Sequence, residues 1–432
     1  MTPRPTSRAQ STGRGLSTTI ALSTTIDAER WPDVAVVPSH SARATIARAL
    51  FRRAVNRLAV RVVESGGRIY GGGGPDSPTF HLYRPVAFFR RLGATGTIGF
   101  GEAYMAGDWS SDDTAGVLAA FAANIRELVP PALHRLRHAV LSRQPSVHDN
   151  TIAGARQNIR RHYDLSNDLF QAFLDPSLTY SSAIYQGDPA DSDEQLAVAQ
   201  HRKIDRLLDV SAVSAGTRLL EIGTGWGELA LRAAARGAQV TTITLSAEQA
   251  ELARERIAAA GLSEHATVLL QDYRETTGQY DAVVSVEMIE AVGANHWADY
   301  FGSIDRLLAP RGRFGLQAIT QEDSAVRASQ DTYTWIRKYI FPGGQLPSVE
   351  SIERSVAEHT SLRISDRYMF GRHYAETLRR WRVRFDEQAE RIAGLGFDET
   401  FRRMWRLYLA YSEAGFRAGY LDVGQFTLIK SS

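Results

Sequence analysis

The sequence predicts an α/β protein: a doubly wound, Rossmann-like and mostly parallel sheet, with a smaller α+β module ahead of it. Three observations carry that prediction. From Arg218 to Ser246 the chain reads apolar run, glycine-rich turn, helical pattern and second apolar run, which is a βαβ unit. Further short apolar runs, at 267–270, from 280 and at 314–321, alternate with helical segments. The last run, 423–429, suits an antiparallel strand at the edge of such a sheet.

In the central unit Leu219, Leu220 and Ile222 form the first strand, and glycines follow at 223, 225 and 227. A helical pattern runs from Glu228 to Arg236, Gly237 stops it, and the second strand spans Val240 to Leu245. Such a turn lets backbone pass close to a nucleoside and presents the free N–H groups of a helix start. Spacing selects the ligand. A dinucleotide fingerprint needs glycines at relative positions 0, 2 and 5 and an acid about 20 residues on. Here Glu228 takes the third place, and the second strand ends at Thr244 with no acid. Glu221, two residues before the first glycine, suits the cationic end of S-adenosylmethionine (SAM). A nicotinamide oxidoreductase is disfavoured.

At 432 residues the chain is long enough for two or three domains. Fifty basic residues against 48 acidic ones leave +2, which argues against a nucleic-acid partner. Lysine occurs only at 203, 338 and 430, and we read the arginine excess as base composition. The absence of cysteine excludes disulfides, thiolate metal sites and cysteine nucleophiles, and no metal is expected. No apolar run approaches the ~20 residues of a membrane span. No secretory signal is read at the N-terminus, so the expected compartment is cytoplasmic.

Residues 1–40, rich in Ser, Thr, Arg and Pro, are expected to be a disordered tail. An N-terminal α+β domain is assigned to 41–145. It opens with a basic amphipathic helix over 44–64, fit either for an anionic membrane surface or for packing on its own domain. Tyr104 and Trp109 read as core. Helices to Arg126 and from Pro131 to Arg143 follow, then a linker from Pro145 to Asn150. The remaining domain, 146–432, starts with Asp164 and Ser166 as caps of a helix over 167–174. Tyr163, Tyr180 and Tyr185 surround Ser181 and Ser182, as a lid over a cationic ligand or as a buried tyrosine cluster. Asp272 stands at a strand end, as an adenine ligand or a cap. Glu287 and Glu290 interrupt the apolar run from 280, and position makes Glu290 the expected general base. Aromatic-rich segments at 331–347, 370–385 and 401–420 fit the walls of an acyl-chain site, or ordinary helix packing.

The motifs GEAYMAGDW, HYDLSNDLF, LDPSLTYSSAIY, LLEIGTGWGELA, ITLSAEQ, VVSVEMIEAVG, KYIFPGGQLPS, HYAETLRRW and GFRAGYLDVGQF occur in order over roughly 80–430. In them the chain resembles the cyclopropane-fatty-acid synthase family, SAM-dependent enzymes acting on double bonds of lipid acyl chains. The resemblance implies a seven-stranded SAM-dependent methyltransferase fold and an N-terminal domain that engages lipid. It places SAM on Tyr180, Ser181, Gly223, Gly225, Gly227, Thr244, Leu245, Gln249, Asp272, Tyr273 and Arg274. Family members that make cyclopropanes hold bicarbonate with a Cys, a Glu, a His and a Tyr. Ser182 stands at the Cys position, Glu290 at the Glu, Tyr374 at the Tyr, and Gln317 replaces the His.

Methyl transfer followed by deprotonation stays available, whereas loss of the Cys and His counts against bicarbonate and against a cyclopropane product. The EMIEAVG and LQAIT variants are similar to a branch that makes 10-methylene chains from oleoyl phospholipid, which a flavin-dependent reductase then saturates. Implied partners are a phospholipid acyl chain at the membrane surface, such a reductase and a second copy of the chain. A cyclopropane synthase, a small-molecule O- or N-methyltransferase and a non-catalytic lipid-binding subunit are the alternatives. Retention of Glu221, the three glycines, Glu290 and Tyr374 argues against the last.

Overall fold

The computed structural model describes residues 25–124, 154, 166–329 and 332–431. Tyr163, Asp164, the expected helix from Pro131 to Arg143 and the linker from Pro145 to Asn150 lie outside the described residues.

The N-terminal module has four short strands, β1 (Arg61–Glu64), β2 (Ile69–Tyr70), β3 (Thr79–Leu82) and β4 (Trp109–Ser110), in the order β2-β1-β3-β4. The helix expected over 44–64 spans Ser41–Val55 instead, and the last residues of that stretch form β1. Val62 and Val63 explain the change, because β-branched side chains pack well on a pleated surface. Phe80 and Trp109 stack at 4.4 Å in the core, and Tyr104 is buried beside them. The described part of the expected tail is also ordered. Pro32–Ala35 makes one helical turn, Val34 is buried, and the Arg91 guanidinium donates to the carbonyls of Asp33, Val34 and Val36.

The main sheet has seven strands. These are β5 (Arg218–Ile222), β6 (Gln239–Thr244), β7 (Ala266–Leu270), β8 (Tyr280–Val286), β9 (Leu308–Gln321), β10 (Leu362–Met369) and β11 (Leu421–Lys430). Their order is β10-β11-β9-β8-β5-β6-β7, with β9 to β7 mutually parallel and β11 antiparallel to both neighbours. The final strand is therefore antiparallel as expected, but β10 lies outside it. Sequence reading passed over β10 because LRISDRYM is mostly exposed and shows no apolar run. The central strands are apolar on both faces: Leu220, Ile222 and Val283 join one cluster, Leu219 and Val284 the other.

A third cluster is continuous from Phe80 and Phe88 in the N-terminal module to Trp381 on helix Gly371–Glu387 and Trp405 on helix Glu399–Arg417. Polar contacts cross the same boundary. Arg403 donates to the carbonyls of Tyr104 and Trp109, while Lys338 and Tyr339 both donate to the buried Glu102. The N-terminal module is thus packed on to the aromatic helices, which run above the carboxyl ends of the central strands.

Candidate active site

A cleft opens where β5, β6, β7 and β8 end. Its floor is the glycine turn. Gly223 has φ +97, open to glycine without strain, and a Cβ there would meet the Met288 side chain at 2.6 Å. Gly225, at φ +51, also lines the cleft. Gly227 does not. It caps helix Glu228–Ala235, and the space at its Cα faces Ala253, so its smallness serves helix packing.

Glu221 lies on β5 at the bottom of the cleft, buried, with its Oε2 lacking any partner among the described residues. Burial pushes its carboxyl up to about 8. An orphaned carboxylate oxygen in a pocket is costly unless a cation arrives, and the ammonium of SAM is such a cation. The residues present therefore fit the cofactor that the glycine spacing suggests.

The other expected cofactor contacts gather around the same space. Tyr180, Ser181, Thr244, Leu245, Gln249, Asp272, Tyr273 and Arg274 all line it. Several are already held in place. The Tyr180 hydroxyl bonds the Tyr408 hydroxyl at 2.7 Å, and Thr244 Oγ1 donates to Gln249 Oε1 at 3.0 Å. Asp272 accepts from the Arg274 backbone and from its guanidinium, at 2.8 and 2.7 Å, so it caps a short turn and holds Arg274. Tyr180 and Tyr185 sit in a real aromatic cluster. Tyr180 lies 5.2 Å from both Phe170 and Trp381.

Lys203 escaped the sequence analysis. It sits on helix Leu196–Val210, is buried, lines the cleft and donates to Ser181 Oγ at 2.6 Å. Burial pulls its ammonium down to about 8, against the nearby carboxylates of Glu287, Asp175 and Glu221. A signal was available: lysine is rare in this chain. All three examples (203, 338 and 430) hold specific contacts, the last with the carbonyls of Asp305 and Leu308.

Beyond the cleft the structure brings together Ser182, Gln317 and Tyr374, as expected. The carboxylate at their centre is Glu287. It accepts from the Ser182 backbone N–H at 2.9 Å, Gln317 Nε2 at 2.9 Å and the Tyr374 hydroxyl at 2.6 Å. Glu287 also lines the cofactor cleft, and Glu290 does not. Its φ is +53, a left-handed conformation that costs a non-glycine residue roughly 1 kcal/mol or more and is concentrated at functional sites.

Glu290 has a different environment. Its Oε1 accepts from the Ile319 N–H at 2.5 Å, and Oε2 has no partner among the described residues. Burial, then repulsion from Glu287, pushes its carboxyl up to about 8. Burial also raises Glu287, but Tyr374, Ser182, Gln317 and Lys203 all favour its charged form. Glu287 is thus the better stabilised of the two as an anion, whereas Glu290 has a single backbone donor from a neighbouring strand and the repulsion of Glu287. Tyr374 is raised well above its ordinary range by burial and by Glu287, so it remains a donor. Sequence position pointed to Glu290, whereas the donors Ser182, Gln317 and Tyr374 converge on Glu287, three residues earlier.

A family model described as mycolic acid cyclopropane synthetase matches residues 151–426. Tuberculostearic acid methyltransferase UfaA1 of Mycobacterium tuberculosis is 53% identical over 411 residues, spanning 94% of this chain and 96% of that protein. The chain belongs to this family. It is a SAM-dependent methyltransferase. The cyclopropane-fatty-acyl-phospholipid synthase of Escherichia coli K12 is 37% identical, over 78% of this chain and 84% of its own length. The solved cyclopropane synthase MmaA2 of M. tuberculosis superposes with a TM-score of 0.58 at 33% identity, covering 64% of this chain and 98% of that one. Another family structure, of CmaA1, is a complex with S-adenosylhomocysteine and CTAB, at TM-score 0.58 and 29% identity over 66% of this chain.

Proposed function

We propose that the protein adds the methyl group of SAM to the double bond of an oleoyl phospholipid chain and then removes a proton from the added carbon. The product is a 10-methylenestearoyl chain. The observation that carries this reading is Glu287, a buried carboxylate that opens on the cofactor cleft and is held by three donors.

The bound cofactor supplies an electrophilic methyl group. One alkene carbon takes that methyl and its neighbour becomes cationic. Tyr180 lines the cleft, and an aromatic ring there attracts positive charge. A hydride then moves to the cationic carbon. Glu287 accepts a proton from the new methyl group, and the released electron pair closes the exocyclic double bond. Tyr374 and Gln317 keep the Glu287 oxygens aimed and charged until the proton arrives.

Ser182, Gln317 and Tyr374 are the groups that the family resemblance assigns to bicarbonate, and here they already bind a carboxylate. The reading therefore uses no bicarbonate, and Glu287, not Glu290, is the base. It is supported by the name of the 53% identical relative, a tuberculostearic acid methyltransferase. A flavin-dependent reductase would then have to saturate the methylene for a methyl branch to result.

Access to phospholipid would come through the N-terminal module. Helix Ser41–Val55 exposes Ile46 and Leu50 with Arg43 and Arg53, and no acidic residue occurs from 34 to 63. Such a face suits peripheral binding to an anionic bilayer. No helix among the described residues is long and apolar enough to cross a membrane.

The E. coli relative's name favours a second reading, cyclopropane formation, in which the proton leaves before any hydride shift. Incubation of the purified protein with SAM and oleoyl phospholipid vesicles distinguishes the two. A gain of one CH2 with olefinic methylene protons by NMR is expected. High-field ring protons would establish the second reading, and no mass gain would remove both.

A further inference from the structure

Gln317 is a neutral amide with a donor end and an acceptor end, and only the donor end helps an ionised Glu287. Something must hold it that way round. Gln317 lies on β9 directly opposite Gln425 on β11, as cross-strand partners, and both side chains are buried. Gln425 Nε2 donates to Gln317 Oε1 at 3.0 Å and to the Lys203 carbonyl at 3.1 Å. Gln425 Oε1 in turn accepts from Arg206 Nη1 at 2.7 Å. Arg206 is part-exposed, lies 4.4 Å over the Tyr368 ring and pairs with Asp366.

We propose that Gln425 and Arg206 are positioning residues that set the direction of a hydrogen-bond chain ending on the base. A guanidinium can only donate and a carboxylate can only accept. With Arg206 at one end and Glu287 at the other, each amide between them has a single satisfying orientation. Gln425 turns its oxygen to Arg206, so its nitrogen meets the Gln317 oxygen, and the Gln317 nitrogen faces Glu287. The Lys203 carbonyl reinforces the same sense. The other charged or titratable groups around Glu287 are Tyr374 on helix Gly371–Glu387, Lys203 on helix Leu196–Val210 and Glu290 on the short helix Ile289–Val292. None of them orients the Gln317 amide; the Ser182 carbonyl accepts from Gln317 Nε2 only at 3.4 Å, a long contact in the same sense. This inference rests on Glu287 being the base.

Gln425→Glu tests it. The new carboxylate, kept ionised by Arg206, accepts at both oxygens and turns the Gln317 carbonyl toward Glu287. We expect kcat to fall by roughly 10-fold to 100-fold, the value of a hydrogen bond to a charged group. KM and SAM affinity should stay near wild type, and the acid limb of the kcat profile should move to higher pH. Adding Arg206→Met removes the counter-ion, so the buried carboxyl protonates and can donate to Gln317 as the amide did. The double variant should recover activity relative to Gln425→Glu. Should Gln425→Glu not fold, as judged by SAM binding, Arg206→Met alone serves, with a loss of a few-fold and a raised acid limb. A wild-type kcat profile in Gln425→Glu, a double variant weaker than the single, or a wild-type profile in Arg206→Met overturns the proposal. Full activity in Glu287→Gln would instead overturn the assignment of the base.

Discussion

The cofactor cleft and the carboxylate chamber meet at the ends of the same strands, β5 and β8, but they hold charge in opposite ways. The cleft is floored by one contiguous turn and leaves its acid open: Glu221 Oε2 has no partner among the described residues. The chamber draws donors from three distant segments and saturates its acid, through Ser182, Gln317 and Tyr374. An unsatisfied buried carboxylate is a seat for an incoming cation. A satisfied one keeps its own charge until a proton is delivered. Glu290 also has an oxygen without a partner among the described residues, but unlike Glu221 it does not line the cleft, and Glu287 beside it disfavours its charge.

That contrast can be broken by substitution. The largest effect is expected from Glu287→Gln, which removes the proton acceptor: kcat should fall by roughly 10²- to 10⁴-fold, the range of general-base contributions. SAM affinity measured by calorimetry should change only a few-fold. Glu221→Gln should do the reverse. The loss of a charge-assisted contact should raise the SAM Kd by roughly 10-fold to 100-fold and leave kcat at saturating SAM near wild type.

Tyr374→Phe sharpens the comparison, because it removes a donor to Glu287 and keeps the ring packed on Phe416. A loss in kcat of about 10-fold is expected. The pH profile carries the sign. Glu287 must be ionised to act and burial holds it above the ordinary glutamate range, so wild-type kcat falls as pH drops through that raised value. Tyr374→Phe raises it further and shifts the acid limb upward. An unmoved limb would detach Tyr374 from the base. The smallest effect belongs to Glu290→Gln, since Glu290 stays out of the cleft and glutamine keeps an oxygen for the Ile319 N–H. Turnover within a few-fold of wild type at neutral pH is expected, and its abolition would return the base role to Glu290.

The two sites also differ in how far the sequence revealed them. The strand, glycine turn and helix of the cleft are local, so Glu221, Gly223 and Gly225 could be read from spacing alone. The helix over 44–64 failed where Val62 and Val63 switch to strand, and β10 was missed because its side chains are mostly exposed. In the chamber, Ser182, Gln317 and Tyr374 were legible through family motifs. That these groups gather on Glu287 and not on Glu290 was not legible, because Glu287 meets them from a left-handed backbone. Lys203 and Gln425 were missed because their partners are 22 and 108 residues away in sequence.

The most direct measurement of the central claim is chemical rescue of Glu287→Gly. Glycine tolerates the φ of +53, so the backbone and the cradle of Ser182, Gln317 and Tyr374 should persist without their carboxylate. The account predicts a variant that binds SAM, is inactive alone and regains turnover saturably with added formate or bicarbonate. Full turnover without any added anion would contradict it.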